Sequence, residues 1–246
     1  MPSVLKLKDK TDSFTTNKAP LFNLPFRLLM VGKSGMGKTN YLANMLLRSS
    51  WYRGDFDASN IYIFSGSLHG DAKLHTIINE LDIPESNLFD NYDELALEAI
   101  YDHLVEEYND AVADRRRPQN SLIVFDDLGF SNHLNAVAKK NDQIHRLFAN
   151  GRKFLISTAV LVQKLTQLST TARENATGVI VGQMTNKQLD LLDSDFNYLG
   201  TKKEFRDMVR AHTDGPHDTM TINFSVPYLY QTSDFKEIPT SLHRHR

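Results

Sequence analysis

Apolar residues along this chain fall into short unbroken runs, separated by stretches where they recur every three or four positions. That alternation predicts strands followed by helices. Residues 25–31, Pro-Phe-Arg-Leu-Leu-Met-Val, form the first run, of the kind buried on both faces of a sheet. Over residues 38–49 the apolar side chains Tyr41, Leu42, Met45 and Leu46 keep helical spacing. Residues 60–66 predict a second strand, 72–81 a helix stopped near Pro84, and 92 to about 117 a long helix ended by Pro118. A third buried strand spans 121–125. A helix over 132–150 is closed by Gly151, and 154–162 reads as a nine-residue strand. Residues 178–182 predict a further strand, 187–210 a mostly helical stretch, and 219–226 a segment pairing at a sheet edge. The sum is an α/β fold with a mostly parallel central sheet and helices on both faces.

The ends of the chain lack this periodicity. Residues 1–20, polar and closing on Ala19-Pro20, predict an arm outside the core. The domain itself is expected over 21–226, and residues 227–246, ending Leu242-His243-Arg244-His245-Arg246, as a polar tail. A length of 246 residues suits one α/β domain, and 41% hydrophobic with 24% charged residues allows a core without covalent staples. The absence of cysteine excludes thiol nucleophiles and cysteine-ligated zinc, and agrees with a reducing compartment. No run of about 18 apolar residues occurs and the first residues lack a signal-peptide core, so the expectation is a cytoplasmic protein, intracellular in an infected host, with no membrane partner. The net charge of -2 argues against a surface wrapped in nucleic acid but leaves room for a local basic stripe.

Between the first strand and the first helix stands Gly32-Lys33-Ser34-Gly35-Met36-Gly37-Lys38-Thr39, which meets the pattern G-x-x-x-x-G-K-[ST]. Glycines let successive backbone N–H groups turn inward around phosphates, and the helix start adds its positive end. Lys38 reaches the β- and γ-phosphates of ATP, and the Thr39 hydroxyl is a ligand for Mg2+. Together with Asn40 these residues are the candidate nucleotide site. The third strand runs into Asp126-Asp127. One carboxylate, assigned to Asp126, joins the magnesium shell, and Asp127 is the candidate that polarises the attacking water. Phosphate binding joined to such an acidic pair points to hydrolysis.

Downstream, the strand over 154–162 delivers Gln163 to the carboxyl edge of the sheet, where ligands of open α/β folds bind, as a candidate sensor of the γ-phosphate. Arg152 and Arg173 flank this strand, and either is a candidate arginine finger supplied to a neighbouring subunit. Arg146 is a weaker candidate, and Arg115-Arg116-Arg117 suits a helix end or a nucleic-acid phosphate better.

With these residues in place the chain resembles the FtsK/HerA-type packaging ATPases of DNA viruses, the group that includes the poxvirus packaging ATPase and those of large eukaryotic viruses and virophages. The resemblance rests on GKSGMGKT at 32–39, LIVFDD at 122–127, and GRKFLISTAVLVQKLTQLSTTAREN at 151–175, where Gln163, Arg173 and Asn175 meet the family's glutamine and Arg-x-Asn. Lys153 stands where the family often has histidine, and Lys164 where proline often follows the glutamine. The resemblance covers about residues 26–181. It implies a P-loop NTPase of the additional-strand class, with the Gln163 strand between the P-loop strand and the Asp126 strand. It further implies a homo-oligomeric ring of five or six subunits with ATP sites between them. Double-stranded DNA would be driven through the ring into a preformed capsid, at a vertex or portal component, which allows association with the virion. Lys139, Lys140, Lys164 and Lys187 are available for the DNA. A helicase or an assembly or secretion ATPase shares both motifs. A nucleotide kinase is expected to carry an arginine-rich lid in place of the Gln163 block.

Overall fold

The computed structural model describes residues 14–128, 143–227 and 229–241. In chain order the elements are β1 (Arg27–Val31), α1 (Lys38–Leu47), β2 (Ile61–Ser65), α2 (Ala72–Leu81), β3 (Leu88–Phe89), α3 (Glu94–Ala113), β4 (Ser121–Asp126), α4 (Gln143–Asn150), β5 (Ile156–Val162), α5 (Thr170–Glu174), β6 (Gly178–Val181), α6 (Asn186–Phe196), α7 (Lys202–His212), β7 (Met220–Asn223) and β8 (Tyr230–Thr232). Among the described residues eight strands form one sheet in the order β3-β2-β4-β5-β1-β6-β7-β8. From β3 to β6 every pairing is parallel, while β7 and β8 are added antiparallel.

Because both faces of the sheet are covered, the strands are apolar at consecutive positions rather than alternate ones. Leu29 and Val31 of β1, Tyr62 and Phe64 of β2 and Ile123 and Phe125 of β4 pack on the face that carries α3 to α7. Their neighbours Leu28, Met30, Ile61, Ile63, Leu122 and Val124 pack on the other, against α1, α2 and the aromatic cluster of Phe22, Phe26 and Tyr52. The register sets Val31 opposite Val162, Leu161 opposite Asp126 and Asp126 opposite Ser65. Four strands therefore end level at one edge of the sheet, which is where the motif residues lie.

Helix starts differ in one respect that bears on function. Asp71, Asp93, Ser169, Thr185 and Thr201 each cap their helix by accepting a hydrogen bond from a first-turn N–H. The start of α1 is Gly37, with no side-chain cap, so its first-turn amides keep their donors for another acceptor.

Several boundaries differ from the sequence reading. The long helix is Glu94–Ala113, started by Asp93 and closed before Arg115, whose φ is 58°. The strand over 154–162 begins at Ile156, because residues 151–154 form a short 3-10 turn that ends at Leu155, with φ 57°. The stretch over 187–210 divides into α6 and α7, since residues 197–201 leave the helix and Thr201 caps anew. Of the helix expected over 132–150, Gln143–Asn150 is observed and the rest lies outside the described residues.

The largest correction concerns the end of the chain. The segment expected at an edge, β7, is paired on both sides, and the edge strand is β8, within the stretch read as a polar tail. Tyr230, Phe235 and Ile238 are buried there, Tyr230 directly after Leu229, and Phe235 between Asp234 and Lys236. At the other end, Lys18 of the expected arm is ion-paired to Asp55 at 2.7 Å, and Thr16 bridges Leu24, so residues 14–20 lie along the body.

Candidate nucleotide and metal site

At the end of β1, Gly32 donates its N–H to the carbonyl of Val162 at 3.1 Å, tying the glycine loop to β5. Gly37 has φ 98°, a left-handed conformation that favours glycine, and it turns the chain straight into α1. Lys38 Nζ donates to the carbonyls of Gly32 at 2.8 Å and Lys33 at 3.3 Å. The lysine thus lies across its own loop, and burial lowers its pKa while Asp126 and Asp127 oppose that shift.

The third side of the site is the end of β4. Asp126 is 3% exposed, and its pKa is pushed up to about 6, first by burial, then by the charges of Asp127 and Asp71, against the attraction of Lys38. Asp127 is exposed, in a left-handed turn with φ 50°, which asparagine and aspartate tolerate better than most residues. That turn is pressed against the loop after β2: a Cβ on Gly66 would meet the Asp127 carbonyl at 2.8 Å. Gly66 is therefore needed to let the two loops approach.

From β5, Gln163 Nε2 donates to Asp127 Oδ1 in a long hydrogen bond of 3.5 Å. The turn that carries Gln163 is itself held by Gln167, whose Oε1 accepts from the N–H groups of Gln163 at 2.9 Å and Lys164 at 2.8 Å. Ser34, Gly35, Gly37, Lys38 and Thr39 line one cavity of about 240 Å³ with Asp126, Asp127 and Gln163. Asn40 is not on that wall and lines a neighbouring cavity with Met36 and Gly37. Residues the sequence reading passed over share the first cavity: Ser67 from the β2–α2 connection, Asp71 and Lys73 at the start of α2, and Gln167. Their signal was present in Ser65-Gly66-Ser67, small polar residues at the carboxyl end of a buried strand, where such folds bind ligands.

The residues fit a divalent cation. A buried carboxylate driven toward its neutral form, next to a threonine hydroxyl at a helix start, is an oxygen donor set that a hard cation stabilises.

The arginines are placed elsewhere. Arg152 is exposed in the turn before β5, and Gln163 follows the last residue of that strand, so about 20 Å of strand separates them. Arg173, 13% exposed at its side chain, donates from Nε to Asp195 at 2.6 Å and from Nη1 to the Leu168 carbonyl at 2.6 Å. Arg146 pairs with Asp102 at 3.2 Å and lies over the Tyr101 ring. The structure brings none of the three to its own phosphate cavity.

The sequence matches the poxvirus A32 protein family over residues 13–226. The chain belongs to that family. Its fold is similar to the genome packaging NTPase B204 from Sulfolobus turreted icosahedral virus 2. The sulfate complex of B204 matches with a TM-score of 0.57 and 13% identity over 89% of this chain and 100% of that one. The AMP complex gives 0.56 and 13% over 86% and 97%. The DNA-packaging ATPase B204 from Sulfolobus Turreted Icosahedral Virus gives 0.52 and 12% over 86% and 97%. At such identities the likeness shows a shared fold. No curated protein matches the sequence. The resemblance to viral packaging ATPases is borne out by the family. The P-loop NTPase fold is borne out too, with β5, the Gln163 strand, between β1 and β4. Among the described residues no helix is long and apolar enough to cross a membrane.

Proposed function

We propose that this member of the poxvirus A32 protein family is a Mg2+-dependent ATPase whose hydrolysis drives double-stranded DNA into a viral capsid. The observation that carries the reading is the convergence, in one cavity at the level ends of β1, β4 and β5, of the glycine loop, two carboxylates and a glutamine. The two B204 proteins, one described as a DNA-packaging ATPase and the other, a genome packaging NTPase, seen in complex with AMP, share this fold.

In this scheme the uncapped amides of α1 and the glycine loop hold the phosphates, and Lys38 turns from its carbonyls to the β- and γ-phosphates. Thr39 and Asp126 would hold Mg2+, which neutralises charge that develops on the phosphate oxygens. Asp127 orients the attacking water and accepts its proton. Gln163, bonded to Asp127, senses whether the γ-phosphate is in place. A neighbouring subunit supplies an arginine. Arg152 suits that role because it is exposed and far from its own site, whereas Arg173 is held by Asp195. The functional unit is then a ring of five or six subunits docked at a capsid vertex or portal in the infected cell. DNA contacts fall to Lys164 and Lys187, which with Lys33 line a cavity of about 540 Å³ without an acidic residue. Lys139 and Lys140 lie outside the described residues.

The test is phosphate release from Mg-ATP with and without double-stranded DNA, alongside transfer to nucleosides. DNA stimulation that falls steeply with salt supports the motor. DNA-independent turnover or phosphoryl transfer to a nucleoside overturns it. Arg152→Ala should lower turnover by about 10³-fold, and mixing it with Lys38→Ala subunits should restore part of the activity. Failure to restore it rules out a shared site.

A further inference from the structure

The phosphate cavity and the basic cavity of about 540 Å³ adjoin, and Ser34 and Gln163 line both. Lys164, the next residue after Gln163, lines the basic one. One turn of chain thus borders both cavities, and whatever fixes that turn bears on both. Gln167 holds it from within, accepting from the N–H groups of Gln163 and Lys164. Gln188 holds it from outside: its Oε1, carried by α6, accepts from the N–H of Leu165 at 2.8 Å. At the far side of the turn Gln163 reaches Asp127 in the long bond of 3.5 Å, so a displacement of a few tenths of an ångström makes or breaks that contact.

Gln188 reaches Leu165 from an unusual position. Thr185 caps α6 by accepting from the N–H of Gln188, which makes Gln188 the third residue of the helix. A glutamine there ordinarily turns its side chain back to the N–H of the cap residue. In this chain its oxygen is given to another element. Lys164 directly precedes Leu165, Lys187 directly precedes Gln188, and both lysines line the basic cavity. The bond between α6 and the turn is therefore flanked by a cation on each element, and no carboxylate lines the same cavity. Like charges so placed repel, whereas a phosphate between them draws the two elements together.

We propose that Gln188 is a positioning residue that couples the basic cavity to the γ-phosphate. A backbone phosphate of duplex DNA that bridges Lys164 and Lys187 closes α6 on the turn along the Leu165–Gln188 bond, and the turn then sets Gln163 against Asp127. This rests on the ATPase and DNA readings above. It gives Gln188 a part in turnover although that residue stands outside the phosphate cavity. Catalytic geometry is sensitive on this scale, since a misplacement of about 1 Å can cost about 10²-fold in rate.

Phosphate release from Mg-ATP is measured without DNA and with saturating duplex, in the wild type, Gln188→Met and Gln188→Glu. Methionine keeps the length of the side chain and removes the acceptor oxygen, whereas glutamate keeps one. Duplex should raise the wild-type kcat by about five-fold or more. In Gln188→Met the ratio of stimulated to basal kcat should fall to about 1, with KM for ATP and duplex affinity held within about two-fold. Gln188→Glu should keep the stimulation. A Gln188→Met protein stimulated as the wild type is, or one whose basal and stimulated rates fall by the same factor, overturns the coupling while the ATPase and DNA readings stand. Loss of stimulation in Gln188→Glu at saturating duplex overturns the coupling as well. A wild type whose turnover ignores duplex overturns the DNA reading and the coupling with it.

Discussion

The cavity at the glycine loop is assembled from that loop, the level ends of β4 and β5 and the approach to α2, all at one edge of the parallel sheet. The neighbouring cavity is assembled from the flank of α1, the Trp51 turn, and two turns near the far end of the chain. The first is lined by the glycine loop and by charged side chains, the second by the aromatic surface of Tyr41 and Trp51 and by Thr219, whose hydroxyl is buried without a partner. The first cavity is thus a product of strand ends and a helix start, and the second of segments added outside the parallel sheet.

Substitutions should separate the two. The largest effect is expected for Lys38→Ala, which removes the charge on the β- and γ-phosphates: phosphate release should fall by about 10³-fold and tripolyphosphate binding should weaken in parallel with ADP. Retained turnover would refute the catalytic assignment. Asp126→Asn comes next, with hydrolysis reduced by about 10²-fold or more through loss of the metal ligand. The same change should stabilise the nucleotide-free protein at pH 7 by about 1–3 kcal/mol, since it removes a buried carboxylate whose pKa is pushed up to about 6.

The sign follows from proton binding. The unfolded group titrates near ~3.9 and the folded one near 6, so between those values the folded state holds more protons and its stability falls as pH rises. Denaturant midpoints from pH 4 to 7, without magnesium, should fall in the wild type and lose this component in Asp126→Asn. A flat difference between the two would remove the account given of this carboxylate. Gln163→Ala should act more mildly, lowering kcat by about 10- to 100-fold with ADP affinity unchanged. Weakened ADP binding would move Gln163 from sensing to simple binding.

The residues that the sequence singled out and the structure brings into one cavity were neighbours in the chain or followed a single strand. GKSGMGKT, Asp126-Asp127 and Gln163 each follow a run of apolar residues, and a buried run ends at the sheet edge whatever else the fold does. Ser67, Asp71, Lys73 and Gln167 escaped notice because one polar residue in a turn or at a helix start looks like any other until the chain is folded.

The sequence by itself determined the parallel core, the glycine loop between β1 and α1 and the acids at the end of β4, because strand burial and glycine turns are local matters that act through adjacent residues. Tertiary structure alone decided that Ser67, Asp71 and Lys73 reach the cavity of the glycine loop and that Arg152 is remote from it. It also showed that Tyr230, Phe235 and Ile238 draw the last segment into the fold. So few apolar residues show no period to read, and their burial is set by the surface already built when they meet it.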